Sequence, residues 1–272
     1  MDNLDAVDNA ASVGVDERLW PLPAHRFLGV DFDVVDFETV VDWCLQRATS
    51  DRFASLVTPN AEHVVRIAEV GGGVAQAYAN ASLCVNDSRV IELAARLMGI
   101  ALPAVPGADV VKALFDRPDF CRERSIMVVG GDERMAQVLR ARHGVRDLRQ
   151  IRPPMGLAAN AGARDAVVEQ IEADPSEVVF LAVGSPQQEL IAETLRCRGR
   201  SLGLVLCIGA GLEFLTGTKP RAPAWLAGLR LEWLFRMVTE PRRLAPRYIG
   251  LAPRFFRLLA EEYARRPKVA LR

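Results

Sequence analysis

Short apolar runs alternate with ten-residue amphipathic patterns along most of the chain. RFLGVDFDVV (26–35) reads as a strand or hairpin, and FETVVDWCLQRA (37–48) as an amphipathic helix with Asp36 as its N-cap. FASLVT then reads as a short buried strand, AEHVVRIAEV as a helix, ASLCVN as a strand and SRVIELAARLMG as a helix. The alternation continues through SIMVVG, DERMAQVLRARHG, ARDAVVEQIEAD, VVFLAVG, QQELIAETLRCRG and LGLVLCIG. Apolar runs each followed by a helical pattern are the mark of βα units, in which crossover helices cover both faces of a parallel sheet. The expected fold class is α/β: a doubly wound, largely parallel sheet with helices on both faces, plus a short helical C-terminal appendage.

The same pattern divides the chain into three parts. Residues 1–24 show no hydrophobic period and are expected to be disordered. Residues 25–223 form the α/β core, whose last strand pattern is followed by a turn near Gly217 to Pro223. In 224–272 strand patterns cease. Leu231, Leu234, Phe235 and Val238 follow i, i+3, i+4, i+7 and make one apolar stripe, with Arg236 beside it and Arg243 and Arg247 across a proline break. Pro241, Pro246 and Pro253 predict a string of short helices there rather than one rod.

Charge changes this picture. The chain of 272 residues holds 34 Lys and Arg against 34 Asp and Glu, yet from Arg221 onward there are eleven Arg and one Lys against four Glu, net +8. The first 220 residues keep 22 basic and 30 acidic groups, net −8, so neutrality is a cancellation between two regions. A basic, apolar tail points to an anionic partner such as a membrane surface, a diphosphate or a nucleic acid, or else is simply a solvated appendage. No helix-turn-helix or RNA-binding motif is present, so nucleic acid is not expected as the partner. No apolar run approaches the roughly 20 residues that span a bilayer, and the acidic N-terminus lacks the features of a signal peptide. The expected location is therefore cytoplasmic. Cys44, Cys84, Cys121, Cys197 and Cys207 are scattered, without metal-ligand spacing, and read as reduced core residues; no metal or cofactor is expected.

Ligands of open α/β sheets bind beyond the carboxyl ends of the strands, so the residues that follow each strand carry the candidate chemistry. They are Thr58-Pro59-Asn60, Asn86-Asp87-Ser88, Gly130-Gly131-Asp132, Gly184-Ser185-Pro186-Gln187-Gln188-Glu189, and the run GAGLEFLTG that contains Glu213. Polar groups on flexible backbone at several strand ends describe a nucleotide or sugar-nucleotide site. Individually each is ambiguous. Gly130-Gly131 offers N–H groups to a phosphate or makes a tight turn, lacking the full GxGxxG spacing. Asp87 is a general base or the N-cap of SRVIELAARLMG. Thr58 and Asn60 act on a ligand or fix the turn at Pro59, and His63 reads as a satisfied structural histidine.

Taken in order, TPNAEHVVRIAE, VNDSRVIELAARLMG, LPAVPGADVV, VGSPQQE, GAGLEFLTGTKPRAPAWL and LEWLFRMVTEPRRLAPRY resemble the WecG/TagA/CpsF family of bacterial glycosyltransferases over roughly residues 26 to 250. The resemblance implies an inverting transfer of a sugar, of N-acetylmannosamine type or a relative, from a UDP-sugar to an undecaprenyl-diphosphate-linked saccharide. It implies no tightly bound metal, and a peripheral location on the inner face of the cell membrane, with the tail completing the site there; oligomeric state is left open. By the same resemblance Asp87 is the base, and Thr58 and Asn60 are polar groups beside it. Gln188 is a pocket glutamine, and the turns of Gly184, with Pro186, and of Glu213 are nucleotide-binding loops; Gly130 and Gly131, read from the residues alone, join them as expected substrate-binding positions. Arg236, Arg243 and Arg247 would supply phosphate contacts, and Arg221 is expected to bind substrate. The chain departs from the family pattern PDGxGxV at Ser88 and Val90, and has Ala104 where an arginine is common. Those departures admit an altered donor pocket or, alternatively, a catalytically impaired member serving as a binding or scaffold subunit of polysaccharide assembly.

Overall fold

The computed structural model describes residues 22–219, Phe235, Thr239 and residues 241–266, excepting the side chains of 243–248. In chain order the elements begin β1 (Ala24–Phe27), β2 (Val30–Asp33), α1 (Phe37–Arg47), β3 (Ala54–Val57), α2 (Ala61–Val70), α3 (Gly72–Ala79) and β4 (Leu83–Cys84). They continue with α4 (Arg89–Leu97), α5 (Gly107–Phe115), α6 (Pro118–Glu123), β5 (Ser125–Gly130), α7 (Glu133–His143), β6 (Asp147–Ile151) and α8 (Ala161–Ala173). Then come β7 (Val178–Ala182), α9 (Gln187–Arg198), β8 (Leu204–Cys207), α10 (Gly211–Leu215) and, as α11, Pro241–Arg265.

Strands β3 to β8 form one sheet in the order β4-β3-β8-β7-β5-β6, and every pairing in it is parallel. The strict alternation of side chains along a strand divides the core in two. Met127, Val129, Val179, Leu181, Val205 and Cys207 pack with α2, α3, α4, α8 and α9 on one face. Their neighbours Ile126, Val128, Val178, Phe180, Leu204 and Leu206 pack with α1, α5, α6, α7 and α10 on the other. Strands buried on both faces read as unbroken apolar runs, which is why SIMVVG and VVFLA show no polar alternation. The crossovers that carry β3 to β4, β6 to β7 and β7 to β8 all move one way across the sheet, over the first face; the return from β5 to β6 uses α7 on the second face. Opposite directions on opposite faces give these connections a single hand.

The first two strands stand apart as an antiparallel hairpin. Its two-residue turn, Leu28 at φ 52° and Gly29 at φ 81°, has the two positive φ values whose twist suits a tight hairpin. A leucine in that region carries a steric cost of about 1–2 kcal/mol, which burial of the Leu28 side chain in the core offsets.

Two expectations are corrected. The tail is not broken at each proline from residue 241 on: α11 is a single helix of 25 residues that runs through Pro246 and Pro253. Pro241 occupies its first position, where no N–H is needed. Each interior proline forfeits a backbone hydrogen bond, roughly 3 kcal/mol in an isolated helix. Docking compensates, because Phe255 is 5% exposed within the first core layer and Leu251, Leu258 and Leu259 pack against it. Beside Phe255, Arg254 pairs with Glu69 of α2 at 3.3 Å, and beyond the C-terminal end of that contact the Arg266 guanidinium lies 5.7 Å from the Phe27 ring centre. The second correction concerns Cys197, which is exposed while the other four cysteines are buried. It falls off the 188–191–192–195 stripe by which α9 meets the core. Asp36 caps α1 as expected, accepting the Thr39 N–H at 2.8 Å, and hydrogen bonding from Thr39, by its side chain first and its backbone N–H second, holds the carboxyl below the usual carboxylate range.

Candidate active site

The carboxyl ends of the strands bring the expected residues to one edge of the sheet. In spatial order the exits are Asn86-Asp87 from β4, Thr58-Asn60 from β3, Gly209 from β8, Gly184-Pro186 from β7 and Gly130-Gly131 from β5. From β4 to β5 is four strand spacings, about 19 Å. Chains leaving β3 and β8, which are neighbours, go to opposite faces, and such divergence opens a crevice at the sheet edge.

Asp87 is half-buried, and its Oδ1 accepts the N–H of Gly107 at 2.7 Å. Gly107 is the first residue of α5, so the carboxylate sits at a helix N-terminus, where it meets unpaired N–H groups and the positive end of the dipole. The cap of α4 is instead Ser88, whose Oγ accepts the Ile91 N–H at 3.3 Å. Asp87 is therefore not the cap of the helix that follows it. The bend is shaped by Asn86, a buried residue placed among the candidate turns by the sequence but given no role there. Its side chain accepts the Ser88 N–H at 2.9 Å, and its backbone oxygen accepts the Val105 N–H at 2.7 Å. Asparagine before a turn is the available signal, since its side chain imitates a backbone acceptor. The 102–107 segment is further held where Glu92 Oε1 accepts the Ala104 N–H at 3.3 Å. Thr58, also buried, stands against Gly107: a Cβ built on that glycine would lie 2.9 Å from Thr58 Oγ1. Glycine there permits the threonine hydroxyl, the Asp87 carboxylate and the start of α5 to converge.

Asn60 is the N-cap of α2, its Oδ1 accepting from Glu62 N at 3.0 Å and His63 N at 3.3 Å. Gln188, buried in the first turn of α9, accepts the Gly209 N–H at 2.9 Å and donates to Glu189 Oε1 at 2.8 Å, tying the β7 exit to the β8 exit. Glu189 is 1% exposed and ends a relay that sequence reasoning did not anticipate. Arg66 donates to Ser185 Oγ at 3.0 Å, Ser185 lies 3.3 Å from the Tyr78 hydroxyl, and Tyr78 donates to Glu189 Oε1 at 2.9 Å. Burial together with the Glu189 charge pushes the Tyr78 phenol well above its ordinary range, so it remains a donor. Glu189 Oε2 is buried with no hydrogen-bond partner.

The remaining expected residues divide by role. Gly130 and Gly131 make a tight turn at φ 108° and 68°, where added Cβ atoms would meet Ala182 O at 2.7 Å and Met135 Sδ at 2.5 Å. Gly184 has φ 76°, and Pro186 follows a cis peptide bond from Ser185 at the entry to α9. Glu213, on α10, is paired with Lys219. Arg221 and Arg236 lie outside the described residues, as do the side chains of Arg243 and Arg247 on α11. Among the described residues no group of three or more His, Cys, Asp and Glu is placed to hold a metal ion.

His63 is not satisfied as expected. It is half-buried as a residue, but its Nδ1 is fully buried without a hydrogen-bond partner. Burial holds its pKa below the ordinary histidine value of 6.5, with the Glu189 charge opposing and Arg66 reinforcing the shift. The folded state thus binds this proton less readily than the unfolded chain. Stability should be full above about pH 6.5 and fall as pH drops from there toward the depressed folded value. His63→Gln should flatten that decline, leaving the part due to His143, whose pKa burial also lowers. Urea midpoints between about pH 5 and about pH 8 measure it; parallel curves for variant and wild type would remove His63 as the cause.

The description of the glycosyl transferase WecG/TagA/CpsF family matches residues 25–269, from the hairpin through α11. That span contains every strand of the sheet and all the turns just described. The chain belongs to the WecG/TagA/CpsF family of glycosyl transferases.

Proposed function

We propose that this glycosyltransferase moves a sugar of N-acetylmannosamine type, or a relative, from a UDP-sugar to a polyprenyl-diphosphate-linked saccharide, with inversion, in synthesis of a cell-surface polysaccharide or teichoic acid. The observation that carries the reading is the placement of Asp87: a half-buried carboxylate oriented by the Gly107 N–H, beside Thr58, at the crevice edge of the sheet. In the proposed step an acceptor hydroxyl oxygen attacks the anomeric carbon, the bond from that carbon to the diphosphate breaks, Asp87 takes the hydroxyl proton, and UDP leaves with the electron pair. A base in this role contributes about 10²–10⁴-fold. The row of exits from β4 to β7 would hold the donor, with Gln188 keeping the β7 and β8 turns in register. Arg221, Arg236, Arg243 and Arg247 would bind phosphate oxygens, for which the planar guanidinium fork is suited.

In this reading the protein works peripherally on the inner face of the cell membrane. Support comes from α11, whose Ile249, Phe256 and Tyr263 recur every seven residues on the exposed side, with Arg254 and Arg257 also exposed. Among the described residues no helix is long and apolar enough to cross a membrane. Of the departures from the family pattern, Ser88 has a structural use as the cap of α4; the retention of Asp87, Asn60 and Gln188 at the strand exits favours a working enzyme over an impaired scaffold subunit. The test is UDP release from a panel of UDP-sugars with a short-chain prenyl-diphosphate saccharide. Acceptor-dependent release with one donor is expected; none with any donor would favour the scaffold.

A further inference from the structure

Helix α4 carries apolar side chains on two faces. Ile91, Ala94 and Ala95 are buried in the core layer shared with α2 and with Phe255 of α11. On the outer face Val90, Leu93 and Leu97, at i, i+3 and i+7, are 42%, 40% and 80% exposed. The stripe is about 10 Å long, and Arg89 and Arg96, seven residues apart, run along one border of it. The single acid of the helix, Glu92, reaches into the 102–107 segment, where it accepts the Ala104 N–H. A continuous apolar stripe bordered by guanidinium groups marks an interaction surface, unlike single exposed leucines.

We propose that the outer face of α4 docks on an anionic bilayer, with Leu93 and Leu97 entering the headgroup boundary and Arg89 and Arg96 meeting lipid phosphates. This rests on the lipid-linked acceptor proposed above. Apolar residues on one side and arginines along the border are the composition of a helix that lies in the membrane interface. The basic border disfavours a second copy of the chain, because in an α4-to-α4 contact the partner helix would add two further arginines, while its single acid is turned to the Ala104 N–H. Helices α4 and α11 also pack on the same face of the sheet, and α11 presents its own exposed stripe of Ile249, Phe256 and Tyr263. Finally, α4 begins two residues after Asp87, so seating it on the bilayer brings the proposed base down to where a lipid-linked hydroxyl arrives.

The test uses the full chain and vesicles of phosphatidylcholine and phosphatidylglycerol in equal parts. Leu93→Gln with Leu97→Gln should lower the vesicle partition coefficient about tenfold or more, each tenfold being about 1.4 kcal/mol, with the melting temperature retained because both side chains are at the surface. Independently, an environment-sensitive fluorophore on Leu97→Cys, in a Cys197→Ser background, should shift to shorter wavelength when vesicles are added. Co-sedimentation unchanged in the double variant, or a probe that stays in water, overturns the proposal. So does a wild-type dimer that the double variant dissolves, which would make α4 a protein interface. A wild type that fails to bind vesicles but transfers sugar to the short-chain acceptor overturns docking and leaves the proposed reaction standing; failure of both sinks the reaction as well.

Discussion

Asp87→Asn should lower turnover by about two orders of magnitude or more while leaving UDP-sugar binding nearly intact. The structure makes this substitution unusually clean. Asparagine keeps an Oδ1 that can accept the Gly107 N–H, the bond that orients the residue at 2.7 Å, so the start of α5 stays capped and Thr58 stays in place. What is lost is the capacity to take a proton. Asp87→Ala, by contrast, removes both functions, and its larger loss of stability would confuse the two. Donor affinity by calorimetry and single-turnover transfer to a short-chain acceptor separate binding from chemistry. If the asparagine variant turns over normally, Asp87 is only the anchor of the 102–107 segment.

The second large effect concerns α11. Phe255→Ala should destabilise the protein by about 3–5 kcal/mol, the usual range for deleting a buried aromatic ring. At roughly 2–4 °C per kcal/mol for a chain of this size, the melting temperature should fall by some 6–20 °C. Phe256→Ala supplies the control, because the two rings are adjacent in sequence but are 5% and 66% exposed. Thermal unfolding of both variants is sufficient. Equal, small shifts would mean that α11 rests on α2 without being part of the core. The expected asymmetry also constrains how the tail is studied: truncation before Leu231 would strip Phe255 from the core as well as arginines from the surface, so membrane contacts are better tested by point substitution.

Much of the fold was legible because its signals are local. The apolar runs gave strands and the amphipathic runs gave helices, since burial on one face or two imposes its own period on the sequence. The cap at Asp36 needed only a side-chain oxygen three residues before an N–H. Local reasoning failed where distant packing outweighed it. Pro246 and Pro253 argue against a continuous helix, yet the apolar face centred on Phe255 finds the first core layer and offsets the lost bonds. At Asn86-Asp87-Ser88 three capping residues stand in a row, and the sequence offers no way to tell which one serves which helix. The answer depends on α5, whose first residue lies twenty positions beyond Asp87.

The order of strands shows the same division. Sequence alone established the α/β class, the succession of βα units and the turns that carry the candidate site, because each follows from neighbours along the chain. Tertiary structure alone decided that β8 enters between β3 and β7 and so sets Gly209 beside Gln188, 21 residues away. It also decided that Tyr78 meets Glu189 across 111 residues, and that Gly107 is glycine because Thr58 stands against it. The physical reason is that a backbone period records only how deeply a segment is buried, whereas partners are chosen by the shape and unpaired polar groups of surfaces that exist only once the sheet has closed around them.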